Sequence, residues 1–397
     1  MSFFFHDKKI LCPFCFNVVY LNQTPFRCVS HAKLCAPVPD QVLIDIWNDN
    51  RPTGQVIFRK DAKFNINSTV CPKCNQITTN RLCPYCHSSL PYAIGDFNNY
   101  IFSLVGAKES GKSHYLSTLI KTLKEGVSEN LNFNFSASND ETVKRYNDDF
   151  FKPIFREKQT IAPTASVLAQ KNQPLVYNLL LNGKTIFGGE KIKKGASLVF
   201  FDTAGEDLND SNIMATLNKY IYLSDGIIFL IDPLQITDVR NKLLAKHVDP
   251  SILPNQNTPT IDVIEKITNL IQRGRLLRST SKISIPIAVA FTKFDALSPL
   301  IDNQFQITKK PKHLHGFDIT DFNSINSEMI GLLKNWNCHD ILNHITVRYK
   351  YYGFFGLSAL GNSPILNKIV NAIKPHRVED PILWLMHKNR LIKKVKR

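Results

Sequence analysis

Eight of the nine cysteines lie within the first 86 residues. Cys12-Pro13-Phe14-Cys15 is followed by Cys28 and Cys35. Cys71-Pro72-Lys73-Cys74 is followed by Cys83-Pro84-Tyr85-Cys86. Two residues between cysteines let both thiolates of a tight turn face one tetrahedral ion. Eight cysteines make two complete four-sulfur sites, so two structural Zn2+ are expected. Taken in sequence order, Cys12, Cys15, Cys28 and Cys35 hold one ion, and Cys71, Cys74, Cys83 and Cys86 the other. The second set, two pairs eight residues apart, has zinc-ribbon spacing. In the first set His31 competes with Cys35 as fourth ligand, and the complete tetrad favours Cys35. Spacing leaves open whether the two sets bind separately or interleave. Disulfides are disfavoured where no export signal is visible. Cys338 stands apart as an isolated thiol.

A second chemistry begins near Asn98. Tyr100 to Val105 has the composition of a buried strand. Gly106-Ala107-Lys108-Glu109-Ser110-Gly111-Lys112-Ser113 follows at once, then His114 to Glu125 with Leu116, Leu119, Ile120 and Leu123 at helical spacing. Gly126 is the expected C-cap of that helix. This is G-x-x-x-x-G-K-S in its strand–loop–helix setting. Glycines let backbone N–H groups close around phosphates, Lys112 reaches the β and γ oxygens, and the Ser113 hydroxyl binds Mg2+.

Three elements specify the nucleotide. Ser197 to Phe201 is an apolar strand ending in Asp202-Thr203-Ala204-Gly205-Glu206. Asp202 is placed to anchor Mg2+, and the Gly205 backbone to meet the γ-phosphate. Ile285 to Phe291 is another, ending in Thr292-Lys293-Phe294-Asp295. A carboxylate at Asp295 can accept from both N1–H and the exocyclic amine of guanine, a pair that adenine lacks. Tyr351 to Leu357 runs into Ser358-Ala359-Leu360-Gly361, whose backbone suits the guanine carbonyl. Each motif is weak alone. In this order, each at the carboxyl end of a strand, they sit where an open α/β sheet binds ligand.

Over about residues 98–376 the chain resembles a GTPase of the Ras-like, translation-factor-related class. The P-loop is similar to that of heterotrimeric G-protein alpha subunits, with Lys108 in place of glycine. Thr292 replaces the usual asparagine of N-K-x-D, as in Rho-type GTPases. The cysteine-rich front, this GTPase and the closing Arg377-Val378-Glu379-Asp380-Pro381-Ile382-Leu383-Trp384-Leu385 are together similar to bacterial double-GTPase proteins of conflict and defence systems. The resemblance implies a doubly wound, mostly parallel α/β sheet, GTP or GDP with Mg2+, and a paired GTPase or other activating partner. It implies nucleotide contacts from Gly106, Lys108, Glu109, Ser110, Gly111, Lys112, Ser113, His114, Thr292, Lys293, Asp295, Ser358, Ala359 and Leu360. Lys112, Thr164, Gly205 and Glu206 would serve hydrolysis, with Mg2+ on Ser113, Thr164 and Asp202.

Departures from the family pattern bear on rate. Glu206 stands where Ras-like proteins orient water with glutamine, and its charge repels the γ-phosphate. Hydrolysis is therefore expected to be slow without a partner, whose arginine finger in such enzymes adds roughly 10³–10⁵ in rate. Lys108 would crowd such a finger or neutralise charge itself. Asp202 follows Lys112 by 90 residues, about twice the small-GTPase spacing, so about 127–172 reads as an insertion. Within it Asp140 to Phe155 forms an amphipathic pattern. Thr164 and Thr160 are the candidate switch threonines, and Arg156 is either an internal finger or a solvated loop residue.

These sites need three pieces: a zinc-ribbon module over 1–95, a GTPase domain over 96–376, and a basic helix over 377–397. The chain is 397 residues long and 43% hydrophobic, enough for a full core. Its net charge of +16 suits a polyanionic partner, nucleic acid among them, although aromatics are not interleaved with basic residues as in a stacking platform. No apolar run approaches the roughly eighteen residues of a membrane helix, and the start has no basic region before its apolar triplet. A cytoplasmic protein is expected. Competing expectations are a nucleic-acid-binding zinc protein regulated by nucleotide, an ATPase, and a scaffold with a degenerate nucleotide site. The Asp202–Gly205 and Thr292–Asp295 motifs argue against the ATPase.

Overall fold

A computed structural model describes residues 8–30, 33–58, 67–92, 94–95, 100–161, 173–184, 190–200, 218–250, 253–254 and 259–396. The N-terminal part has little regular structure. Its short strands are β1 (Lys9–Leu11), β2 (Val18–Tyr20), β3 (Phe26–Arg27), β4 (Val38–Pro39), β5 (Pro52–Thr53), β6 (Val56–Ile57), β7 (Thr69–Val70) and β8 (Ile77–Thr78), with one helix, α1 (Gln41–Trp47). They pair antiparallel as β1–β2, β3–β6, β4–β5 and β7–β8. Strands of two or three residues bury too little to stand alone, and the cysteines make up the difference.

β9 (Phe102–Gly106) is buried throughout. It runs into α2 (Lys112–Thr122), whose cap, Gly111, has φ 83°, a conformation open to glycine. The expected stop at Gly126 does not occur. Residues Leu123–Val127 widen the helix and carry it into α3 (Ser128–Leu131), where Asn132, at φ 54°, closes it. Nothing lies within 4 Å of a Cβ built on Gly126, so the glycine answers no left-handed or steric demand. β10 (Phe133–Ala137) follows, then α4 (Asp140–Arg145), which continues as a wide helix over Tyr146–Arg156 with Phe150 and Ile154 buried. The amphipathic segment expected there is present.

β11 (Leu175–Lys184) and β12 (Glu190–Phe200) make an antiparallel sheet in the order β10-β11-β12. β13 (Gly226–Ile231), α5 (Thr237–Ala245), α6 (Thr260–Gly274), β14 (Ile287–Phe291), β15 (Phe317–Asp318), α7 (Ile319–Asn335), α8 (His339–Arg348) and β16 (Tyr352–Gly356) follow. Strands β16-β14-β13-β9 form a parallel sheet in that order. The fold is mixed α/β with the P-loop strand at an edge of the parallel sheet. Among the described residues β12 lies beside β9 without joining its ladder.

The expected basic C-terminal helix is corrected. Helix α9 (Asp380–Lys388) buries Ile382, Leu383, Trp384, Leu385 and Met386. A Cβ on Gly226 would meet Leu385 at 2.9 Å, so glycine in β13 makes the room this helix needs. Trp384 packs on Phe322 and Phe355. The helix belongs to the core because its apolar residues cover the sheet; the basic residues cluster from Lys388 onward, around β17 (Lys394–Val395).

Candidate nucleotide site and cysteine centres

Gly106 ends β9 where a Cβ would meet Leu230 O and Ser110 Oγ, both at 2.6 Å, so a side chain there would displace the loop. Glu109 takes φ 61° and Gly111 φ 83°, which curls the chain tightly before α2. Lys112 is buried, and its Nζ donates to Gly106 O at 3.1 Å and Ala107 O at 2.8 Å. An ammonium folded over its own loop is positioned to turn toward an anion held there. The Ser110 hydroxyl is buried and has no hydrogen-bond partner among the described residues. A buried, unspent donor in a loop before a helix N-terminus fits a phosphate. Lys108 and Glu109 lie in the same turn, and Ser113 begins the first turn of α2.

The Thr292–Asp295 segment, expected to meet the base, is tied to this loop. Thr292 Oγ1 donates to Ser110 O at 2.9 Å and lies 3.2 Å from Ile231 O. The threonine thus links the carboxyl ends of β14 and β13 to the P-loop. Lys293, at φ 51°, pairs with buried Asp232 at 2.6 Å. Ser358 donates its hydroxyl to the Asp295 carboxylate and accepts from Gly361 N at 2.8 Å. Burial pushes the Asp295 carboxyl up, and the Ser358 bond pulls it back. Ser358 also exchanges backbone bonds with His376 at 3.0 and 2.9 Å. Leu360 packs with Ile154 and Ile369, with Ala359 at the edge of that cluster.

His114 was expected among the nucleotide contacts; its ring meets the backbone of Ile161. Its Nε2 accepts from Ile161 N at 3.3 Å. Burial first, then the Lys293 charge, brings its pKa down to about 4, so it is neutral at pH 7. Thr160, one switch candidate, bonds Asn367 through backbone and hydroxyl, at 2.9 and 3.2 Å. Arg156 is exposed, with its guanidinium 5.9 Å from the Phe151 ring, which is the solvated reading. His31, Thr164, Asp202, Gly205 and Glu206 lie outside the described residues.

The cysteine partition differs from sequence order. Cys12 and Cys15 join Cys83 and Cys86; Cys28 and Cys35 join Cys71 and Cys74. In each tetrad the four sulfurs lie within 4.8 Å of one another. Closest pairs across the chain are Cys12–Cys86 at 3.9 Å, Cys15–Cys83 at 3.7 Å, Cys28–Cys74 at 3.7 Å and Cys35–Cys71 at 3.6 Å. Tetrahedral zinc with Zn–S bonds of about 2.3 Å separates its sulfurs by about 3.8 Å, so both tetrads fit the ion. Interleaving follows from packing: Cys12, Cys15, Cys83 and Cys86 sit in the main core, whereas Cys28, Cys35 and Cys71 form a small cluster with Ile57. Cys35 stands with Cys28, Cys71 and Cys74 in this arrangement. Among the described residues a third group, His313, Asp321 and Asp380, has ligand types at metal spacing. There the Arg377 guanidinium already bonds both carboxylates at 2.8 Å, which fills a cation's place. Cys338 is buried, and burial pushes its thiol up to about 12.

Sequence reasoning missed Asp232 and Tyr220, and it quoted Arg377 without seeing the pair of carboxylates that it bonds. Asp232 had a signal, an acid at the carboxyl end of an apolar strand. Tyr220 and the Arg377 pairing had none that local spacing supplies.

A family model described as Double-GTPase 2 matches residues 101–330. The chain is similar to a "Putative ESX-1 scaffolding and assembly protein SaeC" of Mycolicibacterium smegmatis, at 27% identity over 326 residues, 77% of this chain and 78% of that protein. Among solved structures it resembles the signal recognition particle receptor SRb-GTP/SRX complex of Chaetomium thermophilum, with 14% identity, coverage of 68% and 95%, and a TM-score of 0.28. It also resembles the GTP-bound GTPase-like domain of S. cerevisiae Ski7, with 15% identity, coverage of 74% and 51%, and a TM-score of 0.30. At these scores neither structure carries an argument. Among the described residues no helix is long and apolar enough to cross a membrane.

Proposed function

The chain belongs to the Double-GTPase 2 family, and from that premise we propose a GTP-binding switch that hydrolyses GTP slowly and signals to a protein partner. The observation that carries the reading is the Thr292 bond to Ser110 O, which joins the base-recognition turn to the phosphate loop. Around it Asp295 would select guanine, with Ser358 orienting its carboxylate and leaving one oxygen free for a base. The loop from Gly106 to Ser113 would hold the phosphates, and Lys112 would leave its carbonyls for the β and γ oxygens.

Mg2+, when bound, would neutralise charge between the β and γ phosphates. Ser113, Asp202 and one switch threonine, Thr164 on sequence grounds, would hold it; of these, Ser113 alone is among the described residues. Glu206 in the water-positioning place supports slow turnover. The domain limit at 95/96 belongs to the same proposal. So does a paired GTPase as activator, which the family description supports; a place in a defence system rests on the resemblance alone.

Competition binding tests the assignment. GTP and GDP should displace a labelled guanine nucleotide far better than ATP. Asp295→Asn should shift preference toward xanthine nucleotides, because the amide matches the altered base edge. Equal competition by ATP in the parent chain would refute it.

A second reading is a scaffold that holds nucleotide without turnover. The relative named as a scaffolding and assembly protein favours it. Single-turnover hydrolysis separates the two: measurable GDP formation with the bound GTP consumed supports the switch, and intact GTP after hours supports the scaffold.

A further inference from the structure

The parallel sheet ends at β9, and β12 is an edge of the antiparallel sheet. Among the described residues the Tyr220 hydroxyl bridges them. Tyr220 OH accepts from Leu104 N at 2.8 Å, lies 2.9 Å from Val199 O, which takes its proton, and is 3.4 Å from Phe102 O. Its ring is fully buried. One strand-to-strand N–H···O bond of about 2.9 Å is thereby replaced by two bonds in series, and the strands stand apart.

Tyr220 lies in the helical residues 218–222, and these rest on the first tetrad. Lys219 Nζ donates to Asn17 Oδ1 at 2.9 Å. Asn17 Nδ2 in turn donates to Cys15 Sγ at 3.4 Å. The Phe16 ring packs on Tyr220 with centroids 5.4 Å apart. Phe16 has φ 56°. Each Cys-x-x-Cys turn places the next residue in that left-handed region, with Asn75 at 57° and His87 at 51°. Asparagine and histidine enter it readily, whereas a bulky phenylalanine there is uncommon. The turn around Cys12 and Cys15 therefore holds Phe16 in a strained conformation that carries its ring onto Tyr220.

We propose that Tyr220 is a wedge held by the first cysteine tetrad, through which metal occupancy of that tetrad sets the position of β12 and hence how tightly Mg2+-nucleotide binds. β12 ends two residues before Asp202, and β9 runs directly into the P-loop. If Asp202 anchors Mg2+ as the proposed function has it, a shift of one strand against the other would change how that anchor stands to the P-loop. Tyr220 is a positioning residue on this account. The effect on nucleotide rests on the GTP-binding reading above; the wedge itself does not.

The test uses the full zinc-loaded chain. Tyr220→Phe keeps the ring and removes the hydroxyl. Hydrogen exchange at the Leu104 amide, measured without nucleotide, should change at least tenfold, while elemental analysis still gives two zinc per chain. Affinity for GDP with Mg2+ should fall about tenfold and affinity without Mg2+ should change little, a split that general loss of stability does not produce. Asn17→Ala, which leaves all eight cysteines, should move both readouts in the same direction by less. Cys15→Ser should change exchange across residues 218–225 and at Leu104. Unchanged Leu104 exchange in Tyr220→Phe, or Cys15→Ser effects confined to the N-terminal module, overturns the wedge. Altered exchange with equal losses in both affinities overturns its link to Mg2+. If the parent binds no nucleotide, the GTP reading falls, and Leu104 exchange still decides the wedge.

Discussion

The two cysteine tetrads offer the same ligands to the same geometry, yet they sit in different surroundings. Cys12, Cys15, Cys83 and Cys86 are all buried and belong to the core that also holds the parallel sheet. Cys28, Cys35 and Cys71 form a separate small cluster, with half-buried Cys74 beside it. The first tetrad touches residues that contact β9 and β12; the second closes loops among β3, β6 and the turn at Cys71. Between them lies one carboxylate. Asp40 pairs with Arg27 and His87, each at 2.9 Å, and caps α1 through Val42 N at 3.1 Å. Arg27 precedes Cys28 and His87 follows Cys86, so Asp40 ties the two centres together. Identical metal chemistry can therefore weld one module to its neighbour at one site and only staple a loop at the other.

The sharpest break of this comparison is to remove one ligand from each tetrad. Cys83→Ser should lose at least one zinc and lower the melting temperature of the whole chain, since a structural zinc contributes about 10–16 kcal/mol of apparent binding energy to the fold it closes. Cys74→Ser should lose one zinc and leave the melting of the nucleotide domain close to the parent's. Calorimetry with metal analysis reads both, and equal losses of melting temperature would erase the distinction.

Next in size is the link. Asp40→Asn leaves Arg27 buried without its charge partner, which costs about 3 kcal/mol. Zinc release from the two tetrads under a chelator should then become less concerted. Burial alone would raise the Asp40 carboxyl, but the hydrogen bonds of His87 and Arg27 hold it below the usual range. A carboxyl depressed in the folded chain contributes stability that is complete above about pH 4 and is lost as pH falls through its folded value. Acid titration of the parent should show that loss, and Asp40→Asn should lack it.

A smaller effect comes from the loop after β9. Thr292→Val removes the bond to Ser110 O and leaves that carbonyl unpaired, at about 1–3 kcal/mol. Guanine-nucleotide affinity should fall roughly tenfold to a hundredfold with the zinc count unchanged. Zinc loss in this variant would mean that the two regions are coupled more tightly than the tetrads suggest.

The signal of His114 is absent at neutral pH and emerges only on acidification. Its pKa of about 4 lies below the ordinary value near 6.5, so the unfolded chain binds more protons between the two. Stability tied to this group is complete above about pH 6.5 and is lost on acidification toward pH 4. His114→Gln should flatten that part of the profile, measured as melting temperature against pH.

The strand, loop and helix expected around Gly106 to Ser113 were legible in the chain. β9, the glycines of its loop and Lys112 are consecutive, and chemistry carried by neighbours in sequence survives any packing. The buried strands before Thr292 and Ser358 were legible for the same reason, as continuous apolar runs. The stop at Gly126 failed because a glycine in a helical pattern does not by itself break the hydrogen-bond succession. The basic C-terminal helix failed because the charge count of the last residues hid the apolar run of Pro381 to Met386.

The sequence by itself determined that there are four-cysteine centres and a glycine-rich loop between a buried strand and a helix, since each depends on spacing within a few residues. Only the tertiary structure decided which cysteines share an ion and what stands between the two sheets. Cys12 meets Cys86 across 74 residues, and Leu104 meets Tyr220 across 116. Local periodicity carries no information over such distances: two Cys-x-x-Cys turns have the same geometry whichever partner they take, and burial of Phe14 and Phe16 with the main core makes the choice.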